Sequence, residues 1–178
     1  ELFKIAQKTA FNGERSKARE ICNSIIERNP LYFDAYVLAG RTYTWDQKYE
    51  EARNIILKVL ELKSGYYDAL DAMIDLNLWT DNYTDAVKYA DIGLLTDPND
   101  EAFLLKKAKA LNNLKNLKEA VTLLEKILSM NPSNQEASKL LQSIKDEGKI
   151  NKALVNYAVD IFKPYIPEWH MVYAQIGR

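Results

Sequence analysis

A small residue returns at a constant spacing in this chain. Ala18, Ala52, Ala86 and Ala120 are each 34 residues apart. Pro30, Pro98 and Pro132 keep the same frame, and Ser64 fills the one slot without proline. A strict 34-residue period means that one supersecondary unit has been copied and stacked. Such units contact only their neighbours and bury their apolar faces only by stacking. The chain is therefore confined to a solenoid.

Each unit contains two predicted helices. In the second unit the spacing predicts a helix from Phe33 to Trp45 and another from Tyr49 to Leu62, with Asp46-Gln47-Lys48 as the turn. Tyr36, Ala39, Gly40 and Tyr43 fall on one helical face, and so do Ala52, Ile55, Ile56, Val59 and Leu60. Neither stripe can be covered by its own helix, so each pair must pack together and then against the next pair.

The small residues allow close helix crossings. Ala6, Gly40 and Ala108 occupy one frame position in the first helices. The third unit departs from the pattern with Ile74, and Ala90 and Gly93 in the facing helix partly compensate. Asn29-Pro30, Asp97-Pro98 and Asn131-Pro132 end second helices, because the residue before proline avoids helical dihedrals. Asn116-Leu117-Lys118-Glu119 has the form of a capping box. Gly13, Gly65 and Gly148 fall in predicted turns between helices.

These residues resemble tetratricopeptide repeats, whose first helix carries an aromatic residue, Leu-Gly and Tyr, and whose second carries Ala, a large residue and Pro. Unit two matches through Tyr36, Ala39-Gly40, Tyr43, Ala52 and Ile56. Units three and four match through Ala86/Pro98 and Ala120/Pro132, and unit one through Ala6, Ala18, Cys22 and Pro30, with a shortened first helix. The resemblance covers about residues 1–147. It implies an all-α, right-handed superhelical solenoid with units at about 1–32, 33–66, 67–100 and 101–134 and a capping helix at 135–147. It also implies that the first helices line a concave face.

Beyond Gly148 the pattern forks. At period two, Val155, Tyr157, Val159 and Ile161 form one apolar face of a strand spanning 153–162. At period 3.6, Ile150, Leu154, Tyr157, Ala158 and Ile161 form a helical stripe. The β-branched and aromatic content favours the strand. Residues 163–168 then form a turn, and 169–176 a second strand. This β-hairpin-like tail resembles the start of the barrel in YaiO-type outer-membrane proteins, through Tyr157, Asp160, Phe162, Pro167, Trp169, His170 and Tyr173. That resemblance implies a repeat domain on the periplasmic face of the outer membrane, in front of a barrel beyond this sequence. Both ends look trimmed. An unpaired hairpin would invite pairing with a second copy, a possible homodimer, or docking on the last repeat.

On the first-helix faces, residues four apart form parallel stripes. They are Phe3-Gln7-Phe11, Val37-Arg41-Trp45, Asp71-Asp75-Trp79 and Leu105-Lys109-Asn113. One reading is a groove for a protein or peptide partner, with Phe11, Trp45, Trp79 and Asn113 along it and Arg41, Asp71, Asp75, Lys106 and Lys109 supplying orienting charge. The other is that the tryptophans close gaps between repeats and the charges pair among themselves, Arg41 and Lys109 flanking Asp75.

Composition narrows the alternatives. The net charge is -1 with acids and bases interspersed, so the basic patch of a nucleic-acid binder is missing from the sequence. No apolar run reaches the length of a membrane-spanning helix. Cys22 is the only cysteine, at a packing position, and His170 the only histidine, so neither a disulfide nor a His/Cys metal site is expected. Tyr66-Tyr67, at a turn, is a second binding candidate. There is no phosphate loop, nucleophile elbow or HExxH motif, and Asp71 with Asp75 lacks a defined acid/base pocket. The expectation is a non-enzymatic, cofactor-free interaction module. A structural spacer or export scaffold in an envelope complex, and a cytoplasmic adaptor without a barrel, remain the alternatives.

Overall fold

The computed structural model describes the backbone of residues 1–162 and the side chains of residues 1–158. These residues form nine helices: α1 (Leu2–Phe11), α2 (Arg15–Arg28), α3 (Phe33–Trp45), α4 (Tyr49–Leu62), α5 (Tyr67–Trp79), α6 (Tyr83–Leu94), α7 (Glu101–Asn113), α8 (Leu117–Met130) and α9 (Gln135–Phe162). The described residues contain no strand. The chain divides into two units, the first ending at Asn134 and the second starting at Gln135.

In the first unit, α1 to α8 form four helical hairpins with turns that repeat as faithfully as the helices. The residue after each first-helix C-cap is left-handed: Gly13 at φ 89°, Gln47 at 60°, Asp81 at 57° and Lys115 at 61°. These four positions are again 34 residues apart. Behind each, an amide reaches back five residues: Glu14 to Thr9, Lys48 to Tyr43, Asn82 to Asn77 and Asn116 to Leu111, at 2.8–3.1 Å. This bond closes the last helical turn in the Schellman manner and satisfies an otherwise orphaned carbonyl. Only the first of the four turns uses glycine.

The turns between hairpins use a side chain. The Oδ1 atoms of Asn29, Asp97 and Asn131 accept from the amides of Leu31, Asn99 and Ser133 at 3.3, 2.9 and 3.2 Å. An Asx side chain that folds onto the backbone two residues on competes with helix continuation and reinforces the following proline. The predicted capping box at Asn116 is corrected. Its side chain does not cap α8; instead Nδ2 donates to Glu119 Oε2 at 2.9 Å. The capping side chain in the first unit is Asp100, whose Oδ1 accepts from the Phe103 amide at 2.7 Å.

Successive first helices touch one another, α1 with α3, α3 with α5 and α5 with α7, whereas successive second helices make no comparable approach. The stack therefore curves with α1, α3, α5 and α7 on its inner side. Side-chain volume is conserved across the repeats by exchange. A Cβ on Gly40 would come within 2.5 Å of Ile56. One repeat later the same two positions hold Ile74 and Ala90, both fully buried, so large and small have swapped helices. Gly93 serves a different neighbour from the one expected: a Cβ there would overlap the ring of Phe103, in the next repeat, rather than fill space beside Ile74.

In the second unit α9 runs through Gly148 to Phe162. The turn expected at Gly148 and the strand expected over 153–162 are thereby corrected. The helical stripe of Ile150, Leu154, Tyr157, Ala158 and Ile161 prevails over the alternation at period two. One glycine costs an exposed helix only about 1 kcal/mol relative to alanine, and no proline interrupts residues 133–163. Within α9, Ala137, Leu141 and Ile144 are buried, while Ile150, Leu154 and Tyr157 are exposed. The second strand and the Pro167-Trp169-His170-Tyr173 pattern lie outside the described residues.

Candidate functional site

The helical periodicity of α1 and α3 lays two parallel rows along the inner side of the first unit. Phe3, Gln7 and Phe11 face Val37, Leu38, Arg41 and Trp45 across a cleft of about 420 Å³, and Asp34 and Asp68 complete its lining. At one end the Phe11 and Trp45 rings meet with centroids 5.8 Å apart, tilted by 42°. Phe11 is 76% exposed, so this aromatic end opens to solvent.

The Trp45 end is braced from α2. Arg15 Nη1 donates to the Trp45 carbonyl at 3.0 Å and to Asp46 at 2.9 Å, with its guanidinium 6.0 Å from the Trp45 ring centroid. Arg19 donates to the same carboxylate at 2.7 Å and lies 4.5 Å from the Tyr43 ring centroid. The hydrogen bond from Arg15, helped by Arg19, holds the Asp46 carboxyl below the usual carboxylate range against its partial desolvation.

At the opposite end, Asp34 and Asp68 stand in the first turns of α3 and α5, 34 residues apart. The Tyr66 hydroxyl donates to Asp34. Burial, then this bond, pushes the Tyr66 phenol well above its ordinary value. Phe3 and Tyr32 close this end with ring centroids 5.3 Å apart.

Beside the cleft lies a charge network on α3, α5 and α7. Arg41 donates to Asp71 at 2.7 Å and to Asp75 at 3.4 Å. Lys106 pairs with both carboxylates, with Asp75 at 2.7 Å. Burial acts to raise the Asp71 carboxyl, but the bonds from Lys106 and Arg41 outweigh it and hold it below its ordinary value. Two cations and two anions thus neutralise each other. Lys106 flanks Asp75 opposite Arg41, a contact that the 34-residue frame did not predict. The contacts span 30, 34, 35 and 31 residues, so Arg41 reaches its frame equivalent Asp75 and the residue one turn earlier, while Lys106 reaches the acids on either side of its own equivalent, Ala72.

The candidate residues therefore separate. Phe11, Arg41 and Trp45 line the cleft. Asp71, Asp75 and Lys106 form the network around Arg41. Trp79 is 55% exposed at the end of α5 and does not line the cleft. Asn113 is exposed, its Nδ2 donating to the Lys109 carbonyl at 2.9 Å. Asp34 and Asp68 were not singled out from the sequence, where each looks like an ordinary first-turn acid; their 34-residue spacing was the signal. Tyr67 stacks on Phe103 with centroids 4.6 Å apart. Cys22 is buried and its thiol is pushed up to about 11 by that burial, which makes it a poor nucleophile. Among the described residues no group of three or more His, Cys, Asp or Glu is placed to hold a metal ion, and no helix is long and apolar enough to cross a membrane.

The tetratricopeptide-repeat profile matches residues 33–66 and 102–134. These two stretches are tetratricopeptide repeats. The repeat between them, unmatched by the profile, is the one in which Ile74, Ala90 and Gly93 exchange large for small. No curated protein matches the chain. Among solved structures, MamA (residues 41 to the end) from Desulfovibrio magneticus RS-1 superposes with a TM-score of 0.74 at 14% identity, over 91% of this chain and 92% of that one. YrrB, described as a tetratricopeptide-repeat protein with an unusual peptide-binding site, superposes at 0.68 and 17% identity, over 92% and 86%. The first such domain of Spaghetti (RPAP3), bound to the HSP90 peptide SRMEEVD, superposes at 0.61 and 18% identity, over 65% and 91%. At these identities the likeness is one of fold: an all-helical tetratricopeptide-repeat solenoid.

Proposed function

We propose that this protein is a non-catalytic interaction module that holds a peptide segment of a partner protein in the cleft between α1 and α3. The observation that carries this reading is the cleft itself. It is lined by α1, α3 and the start of α5 on the inner side of the stack, with an open aromatic pair at one end and carboxylates at the other. A concave, largely apolar site with a few placed polar groups is what recognition of a short segment requires. Two fold neighbours are described with a peptide-binding site or a bound peptide.

The paired charges on α3, α5 and α7 act mainly as a brace between repeats. Trp45 supplies the anchor, whereas Trp79 stands apart from it. The placement at the outer membrane drew on a strand over 153–162. With those residues helical, it rests only on the motif beyond residue 162.

The experiment is a peptide array probed with the full chain, its hits measured by fluorescence anisotropy. Trp45→Ala should abolish binding and leave the helical melting transition within a few degrees of the parent. Trp79→Ala should change neither. Hits that survive Trp45→Ala but vanish with Trp79→Ala would overturn the assignment to this cleft.

A further inference from the structure

The charges around the cleft do not balance, and the imbalance has a sign. Among the described residues Arg41 is the one cation lining the cleft, and its charge is already engaged by Asp71 and Asp75. Lys106 completes that group, so Arg41, Lys106, Asp71 and Asp75 together carry no net charge. Asp34 and Asp68 are left over. Asp34 accepts a hydrogen bond from the neutral Tyr66 hydroxyl, and neither carboxylate has an ion-pair partner among the described residues. The whole chain carries a net charge of only -1, so the two uncompensated charges in this cleft are a local arrangement.

We infer that the cleft selects a partner segment carrying a lysine or arginine a short distance from an aromatic residue, a leucine or an isoleucine. This deepens the groove reading above and rests on it. The apolar residue seats against Phe11 and Trp45, and the cation lies between Asp34 and Asp68. The spacing follows from α3, on which Asp34 and Trp45 are 11 residues apart. At about 1.5 Å of rise per residue this is roughly 16 Å. An extended segment covers that length in about five residues at ~3.3 Å each. The expected occupant is an extended segment, whose alternate side chains face the cleft.

The sign separates this cleft from that of one fold neighbour. The peptide bound to the RPAP3 domain, SRMEEVD, ends in three acids and a carboxylate within four residues. Set between Asp34 and Asp68, that end would meet like charge, which is an effective way to exclude a partner.

The test uses an array of random 12-residue peptides, the full chain, and anisotropy on the strongest hits, with SRMEEVD as the acidic probe. The expected hits are enriched in Lys or Arg four to six positions from Trp, Phe, Leu or Ile, and SRMEEVD does not bind. Asp34→Asn with Asp68→Asn should weaken the hits about fivefold to tenfold, the size expected for two partly exposed ion pairs. Asp68→Asn alone breaks no hydrogen bond among the described residues, so a smaller loss with that variant guards against a folding defect. Hits that require Trp45, show no basic enrichment and ignore both substitutions would overturn the charge assignment and leave the groove standing. Absence of any hit sensitive to Trp45→Ala would overturn the groove reading, and this inference with it.

Discussion

The ring of Phe103 occupies the space that a side chain on Gly93 would need. At the two preceding junctions the same frame positions hold Ile25 with Ala35 and Val59 with Ala69, all buried. There the second helix carries the large residue and the following first helix the small one. Between the third and fourth repeats the order is reversed. The fold tolerates the reversal because a packed core needs a given volume filled and not a given helix to fill it.

Gly93→Ala should therefore destabilise the protein by about 2 kcal/mol through overpacking, although alanine is the better helix former. Gly93→Val combined with Phe103→Ala rebuilds the pattern of the second junction. It should recover most of the loss shown by Gly93→Val alone. Urea denaturation of Gly93→Val, Phe103→Ala and their combination reads this directly, and strict additivity would contradict the shared cavity.

Gln47 adopts φ 60° at an exposed turn, a conformation that costs an L-residue roughly 1–2 kcal/mol. Gln47→Gly should raise stability by about 0.5–1 kcal/mol, the strain relieved less the added unfolded-state entropy. Gly13→Ala, at φ 89°, should lower it by a similar amount. Opposite shifts in melting temperature are the expected result.

Asp71 sets an acid limb. Its ordinary value is 3.8, and the bonds from Lys106 and Arg41 lower it in the folded protein. A depressed carboxyl contributes stability that is fully present above the unfolded value and is lost as pH falls through the folded one. The urea midpoint should thus decline below about pH 4. Asp71→Asn should flatten that decline and cost roughly 2 kcal/mol at pH 7, the scale of a charge-assisted hydrogen bond.

Residues 151–157 are all exposed. Ending the chain at residue 150 should leave the melting temperature within a few degrees of the parent, because the stacked helical pairs bury a core of their own. A broad loss of helicity beyond the deleted residues, measured by circular dichroism, would show that this half of α9 supports the rest.

The sequence by itself determined the repeat, the boundaries of α3 and α4 and the helix-ending Asx-Pro turns, because period, turn chemistry and proline act within a few residues of the chain. It also placed Arg41 and Trp45 on one face of α3, since a residue four positions on lies on the same side of a helix; that this face is the inner one was implied by the family resemblance. Its β-branched and aromatic content favoured a strand over 153–162, which is helical, because such content is a weak guide where both periods group apolar residues. Only the tertiary structure decided that Lys106 meets both Asp71 and Asp75, that Gly93 makes room for Phe103, and that Asp34 and Asp68 share one cleft. Each of these depends on how one helix is offset against the next. That offset is set by side-chain volumes from two repeats at once, which no single stretch of sequence contains.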